Sequence, residues 1–288
     1  MFERTEPSPD RGGSVTGRVP GGGHFTVHDH GAQITDWTPG DTPVLWTSEY
    51  AKFEPKVAIR GGMPISFPWF ANGRRDHKVP AHGFARLVPW QLRRAMVIAG
   101  VTKLEWQLTQ DMLPELEGVD PTRNRFDVRC LQQFDQTLTV TLRIRNTDDH
   151  PLVVEEALHT YFHVGDVRQA MVHGLAGAEF LDKLAGADVT QIGPVTVGGE
   201  VDRIFWTTDA AEIHDPVLGR VIQVTPYGAG NTVVWNPGST KAATMSDFGD
   251  DEWPQMVCVE TANVRDKVVH LNPGQAHDLA VQISVREL

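Results

Sequence analysis

The sequence predicts an all-β protein, built as a large antiparallel β-sandwich. Three observations predict it. Short runs of β-branched and aromatic residues, many alternating with polar ones, recur along the chain; Gly, Pro, Asn and Asp separate them; and no amphipathic helical period is sustained over three turns. Without helices of about 10 to 15 residues between them, the strands lack the crossovers a parallel sheet needs. No fixed-period repeat points to a propeller or solenoid.

Residues 1–23 are rich in Pro, Gly, Ser and charge and lack the apolar run of a secretory signal, so they read as a flexible N-terminal arm. Strands are expected at 24–28, 33–37, 102–110, 137–146, 153–164, 221–225, 232–235, 256–260 and 279–285. Residues 181–200, with Gly186, Gly193, Pro194, Gly198 and Gly199, read as loop. One domain over 24–288 is expected, since sandwiches of this size often form a single unit.

Hydrophobic residues at 40% and charged residues at 22% are the composition of a folded globular chain. The formal net charge of -11 opposes nucleic acid and anionic membrane surfaces. A small anion would need a few arginines gathered in one pocket. Cys130 and Cys258 are the only cysteines, which excludes a disulfide scaffold or zinc ribbon and suits a reduced, cytoplasmic setting. No apolar run approaches the ~20 residues that span a bilayer.

Four segments carry candidate chemistry. In Arg60-Gly61-Gly62-Met63-Pro64-Ile65-Ser66-Phe67-Pro68-Trp69-Phe70 the paired glycines let backbone approach a ligand beside a fixed positive charge. Pro64 and Pro68 forbid a regular helix or central strand there, and an irregular aromatic-packed connection with a solvated arginine fits equally. In Pro80-Ala81-His82-Gly83-Phe84-Ala85-Arg86, read as extended chain, His82 and Arg86 share a face, with Cα atoms roughly 13 Å apart. A lone His-Arg pair is more often structural.

Read as a strand, Glu155, Ala157, His159, Tyr161 and His163 occupy one face, either solvated or lining a site. His159 and His163 are too far apart on a strand to chelate a metal. In the fourth segment Met256, Cys258 and Glu260 alternate onto one face. Burial there would raise the Glu260 pKa and make it a better base near neutrality; alternatively it is an edge carboxylate facing water. His24, His28 and His30 lack the downstream glutamate of a cupin metal site, and no Walker A, dinucleotide fingerprint or GxSxG elbow is present.

The segments RGGMPISFPWF, AHGFAR, LHTYF, VDRIF, VVWNPGS and SDFGDDEWPQMVCVE occur in that order. In order and spacing they resemble the aldose 1-epimerase superfamily, and within it the hexose-6-phosphate mutarotase branch, from about His24 to the C-terminus. The resemblance implies a galactose mutarotase-like β-supersandwich holding a sugar across a concave sheet. It implies His159 and Glu260 as the catalytic pair, Arg60 and Arg86 on the phosphate, His82 and Asp202 on the sugar, and Trp235 as a wall. Two departures stand out: Ala81 replaces a glutamine of many relatives, and 114–125 is idiosyncratic.

The implied reaction exchanges the α and β anomers of glucose 6-phosphate. Glu260 would be the base and His159 the acid, with nearby carboxylates helping the imidazole stay protonated near pKa ~6.5. No metal or cofactor is needed, the partner is a small sugar phosphate, and a monomer is expected. Two alternatives remain: an aldose 1-epimerase for unphosphorylated hexose, which needs no arginine pocket, and a noncatalytic carbohydrate-binding β-sandwich. In the latter, His159 and Glu260 need not converge.

Overall fold

The computed structural model describes residues 2–7, 12–74, 77–119 and 124–288. Part of the arm at 8–11 and part of the idiosyncratic stretch at 120–123 lie outside them.

Alternating strands bury one side chain in two, and here they bury them between two large antiparallel sheets. Among the described residues one sheet has nine strands and runs in space from Val195–Thr196 through the long Ala276–Glu287 and Thr137–Asn146 strands to Gln91–Ile98. The other has eight, centred on Asn231–Asn236 and Met256–Asn263. Val128, Leu142, Val281 and Ile283 of the first meet Leu158, Phe162, Val257 and Val259 of the second in one apolar cluster. The all-β, antiparallel sandwich expected from the alternation is what forms. No helix among the described residues is long and apolar enough to cross a membrane.

Two readings of the sequence need correction. The N-terminal arm is not loose where it is described: Phe2–Thr5 pairs with Ser14–Arg18, which pairs with His24–His28, which pairs with Ile34–Thr38. Val15 and Val19 enter the main core. Gly17 lets the Phe25 ring lie where a Cβ would sit 2.5 Å from it. Residues 181–200 likewise contain a hairpin, in which Glu179–Asp182 pairs with Ala187–Thr190. Its strand Ala187–Thr190 is exposed throughout, so no apolar alternation marks it.

The eight-stranded sheet has a second covered face. Met256–Asn263 is buried along its whole length because Val257 and Val259 point to the main core while Met256, Cys258 and Ala262 meet two smaller clusters. Trp46, Tyr161 and Phe248 form one, and Phe70, Ile204 and Val233 the other. Between them lies Glu260.

Candidate active site

Cross-strand register assembles the site. Asp202 lies opposite Trp235, Trp235 opposite Cys258, and Cys258 opposite Tyr161, so four strands place these side chains in one row. Glu156–Leu158 and Tyr161–His163 both pair with Met256–Asn263, with Leu158 opposite Thr261 and Tyr161 opposite Cys258. That unchanged register puts His159 opposite Glu260 across a short break in the strand. The His159 Nε2 lies 3.3 Å from the Glu260 Oε1. Two residues about a hundred positions apart therefore meet because two halves of one strand share a partner.

The break has a cause in the 60–70 segment. His159 N donates to Pro64 O at 3.0 Å and Tyr161 N to Gly62 O at 2.8 Å, in place of a regular ladder. Gly61 and Gly62 do permit close approach, but to protein rather than ligand. A Cβ on Gly62 would stand 2.0 Å from Ile34 O, and one on Gly61 2.5 Å from Trp46 O. Both residues also have positive φ, at 62° and 112°.

His82 and Arg86 do not lie on an extended segment. His82 takes φ 62°, Gly83 follows at φ 73°, and Ala85–Leu87 forms a 3-10 turn. Gly83 is required because a Cβ there would meet Phe67 O at 2.1 Å. The turn still brings His82 into the site, with its ring 5.2 Å from that of His159 and its Nδ1 3.2 Å from Ser66 Oγ. The left-handed His82 is a strained position of the kind found at functional sites.

On the same side Arg60 is fixed at two edges. Asp247 accepts from its Nε and Nη2 at 3.2 and 3.1 Å, and Tyr161 Oη accepts from Nη1 at 2.9 Å. Burial works against its charge, yet Tyr161 and Asp247 hold the guanidinium above its ordinary pKa. Arg86 differs. Its Nη2 donates to Ala81 O at 2.9 Å, its buried Nε has no partner, and no carboxylate pairs with it among the described residues. Burial, then the charge of Arg60, bring its pKa down to about 10.

The expected acid-base pair is buried, His159 at 6% and Glu260 at 1% exposure. His159 Nδ1 and Glu260 Oε2 have no hydrogen-bond partner, and buried polar atoms left open in this way point to a ligand. Burial and the Asp202 carboxylate push Glu260 well above the carboxylate range. Burial, then Arg86 and Arg60, hold His159 well below the ordinary imidazole value. This reverses the expected help from carboxylates, because burial and the neighbouring cations both disfavour a charged ring.

Asp202 and Trp235 also reach the site. Asp202 Oδ2 accepts from Lys183 Nζ at 2.7 Å, and the Trp235 ring packs edge-on against His159 and Tyr161 at 6.2 and 6.0 Å. All seven residues singled out from the sequence thus surround one place. Lys183 and Asp247 were missed. Lys183 sat in the stretch read as loop, and Asp247 was one acid among several in SDFGDDEW with nothing to single it out. Ligand-type atoms of His159, Cys258 and Glu260 lie within 4.8 Å of one another. Arg60, Arg86 and Lys183 oppose a cation there, and burial pushes the Cys258 thiol well up, so the donor set does not suit a metal.

A family profile described as Aldose 1-epimerase matches residues 14–284. A protein of Escherichia coli (strain K12) named "Putative glucose-6-phosphate 1-epimerase" is 36% identical over 236 residues, covering 81% of this chain and 77% of that protein. A protein of Cenchrus ciliaris with the same name is 33% identical, over 86% of this chain and 77% of its own. The crystal structure of a "putative mutarotase" from Salmonella typhimurium superposes with a TM-score of 0.88 at 28% identity, covering 100% of this chain and 94% of that one. A galactose mutarotase-like protein of Clostridium acetobutylicum, at 12% identity, a TM-score of 0.74 and coverage of 100% and 99%, shares the fold. With its profile match, its relatives and its β-sandwich, the chain belongs to the aldose 1-epimerase family of isomerases, the sugar mutarotases.

Proposed function

We propose that this protein interconverts the α and β anomers of a hexose 6-phosphate, with glucose 6-phosphate as the substrate. The observation that carries the reading is one buried place holding both an acid-base pair with open atoms and an arginine with an open Nε and no carboxylate. A guanidinium without a carboxylate suits a phosphate dianion better than the neutral hydroxyls of a free sugar. The names of the relatives in Escherichia coli and Cenchrus ciliaris point to the same substrate.

Glu260 takes the proton of the C1 hydroxyl as the bond from C1 to the ring oxygen breaks, and His159 gives its proton to that oxygen. The product is the open-chain aldehyde with a free C5 hydroxyl. Rotation about C1 to C2 turns the other carbonyl face to the hydroxyl. On closure His159 takes back its proton and Glu260 returns the one it held, so the pair ends as it began. Each proton transfer contributes roughly 10² to 10⁴.

Phosphate at Arg86, with the remaining N–H groups of Arg60, anchors one end of the substrate. His82, Asp202 and Trp235 hold the hydroxyl end and the ring. Lys183 donates to Asp202 Oδ2 and fixes the aim of that carboxylate. NMR exchange spectroscopy of the two anomers tests the reading. The protein accelerates exchange of glucose 6-phosphate with a kcat/KM well above that for glucose; equal values, or a preference for glucose, would make it an aldose 1-epimerase for unphosphorylated sugar.

A further inference from the structure

The site contains three cations, and only one lacks an opposite charge. Arg60 is matched by Asp247 and Lys183 by Asp202, while Arg86 has no carboxylate among the described residues. We infer that the phosphoryl group arms the acid-base pair as well as anchoring the sugar: seated on Arg86, it cancels the one unmatched positive charge facing His159 and moves the pair's shared proton onto the imidazole. This rests on the hexose 6-phosphate reading and adds to it a role in turnover.

The surroundings of His159 support it. From its own strand region comes Tyr161, stacked on the ring at 5.0 Å and 10°, whose hydroxyl is tied to Arg60. From the paired strand come Glu260 and the thiol of Cys258. His82 and Arg86 face it from the turn at 82–87, and Lys183 from the hairpin beyond Asp202. His82 is itself held well below its ordinary pKa by burial and then Arg86, so it adds no charge. Arg86 is the foremost charge acting on His159, whereas at Glu260 it ranks behind Asp202 and Lys183.

Burial and these cations disfavour a charged imidazole, and burial with Asp202 disfavours a charged Glu260, so with no anion on Arg86 the pair's proton belongs on Glu260. That is the wrong end for Glu260 to act as base. A phosphate dianion at Arg86 offsets the foremost charge set against a protonated His159, while the Asp202 and Lys183 charges that lead at Glu260 stay in place, and this favours the form in which the imidazole carries the proton and the carboxylate is free. The phosphate of the substrate thereby creates the acid that opens its ring, and a sugar without it meets an unarmed pair.

The test uses the whole protein with histidine labelled by nitrogen-15, and His159→Gln to identify the signal. Two non-reacting ligands are compared, 1,5-anhydroglucitol 6-phosphate and 1,5-anhydroglucitol. The phosphorylated analogue raises the His159 pKa by on the order of one unit or more, and the unphosphorylated one does not. In parallel, phosphite dianion added to a glucose exchange reaction raises kcat/KM by roughly tenfold or more. In Arg86→Gln that response disappears, while His159 without ligand already titrates at the higher pH. Bound phosphorylated analogue with His159 still neutral overturns the inference and leaves the substrate reading intact. Failure of that analogue to bind overturns both.

Discussion

Glu260→Gln is expected to lower the anomer-exchange rate on glucose 6-phosphate by roughly 10² to 10⁴, with KM little changed. Gln keeps the shape of the side chain and the register that sets it opposite His159 but cannot take the O1 proton. Because Glu260 is 1% exposed and its pKa stands well above the ordinary range, the wild-type group already resembles a neutral amide. The variant therefore folds with a melting temperature at or above that of the parent, since a buried ionisable group is removed without leaving a cavity. Loss of rate with retained binding and stability assigns the proton transfer to this carboxylate. Unchanged activity removes it from the mechanism.

Arg86→Ala is expected to raise KM for glucose 6-phosphate far more than KM for glucose. Truncating one partner of a buried, hydrogen-bonded charge pair costs about 2 to 5 kcal/mol, which is roughly 30- to 4000-fold in affinity. The same change at Arg60 has a smaller effect on phosphate binding, because Asp247 already matches that charge. Steady-state kinetics on both sugars measure the difference. Equal losses on the two would show Arg86 holding the fold of the 82–87 turn rather than the phosphate.

Much of this was readable in the residues, and the reasons differ from element to element. The alternation of Met256–Asn263 announced both its strand state and the common face of Cys258 and Glu260, because a period of two survives even when both faces are buried. Alternation over 155–163 gave the right face for Ala157, His159 and Tyr161, though Glu155 leaves it to accept from Phe70 N and Arg265 N at 3.3 and 2.8 Å. Family resemblance supplied the pairing of His159 with Glu260. Spacing alone carries no information about which strands become neighbours.

Other features were out of reach. The ordered Phe2–Thr5 and Ser14–Arg18 strands have too few apolar residues to stand out from a loose arm. The turn at His82 and Gly83 depends on how closely Phe67 O passes, a contact made only in the fold. Asp247 is held near Arg60 by neighbours distant in sequence. Glu252 accepts from Ser48 Oγ at 2.6 Å and Gly249 N at 2.7 Å, while Ser48 N donates to Arg60 O at 3.1 Å. The direction of the His159 shift depends first on its burial and then on Arg86, Arg60 and Lys183, which only the assembled site reveals.

In the proposed mechanism His159 and Glu260 work as one unit that passes protons to and from a single sugar. Residues that act so are strongly non-additive. Exchange spectroscopy of glucose 6-phosphate with His159→Gln, Glu260→Gln and the double variant measures this directly. The double variant is expected to exchange anomers about as slowly as the slower single variant; a double variant slower by the product of the two single losses would show the two groups acting independently.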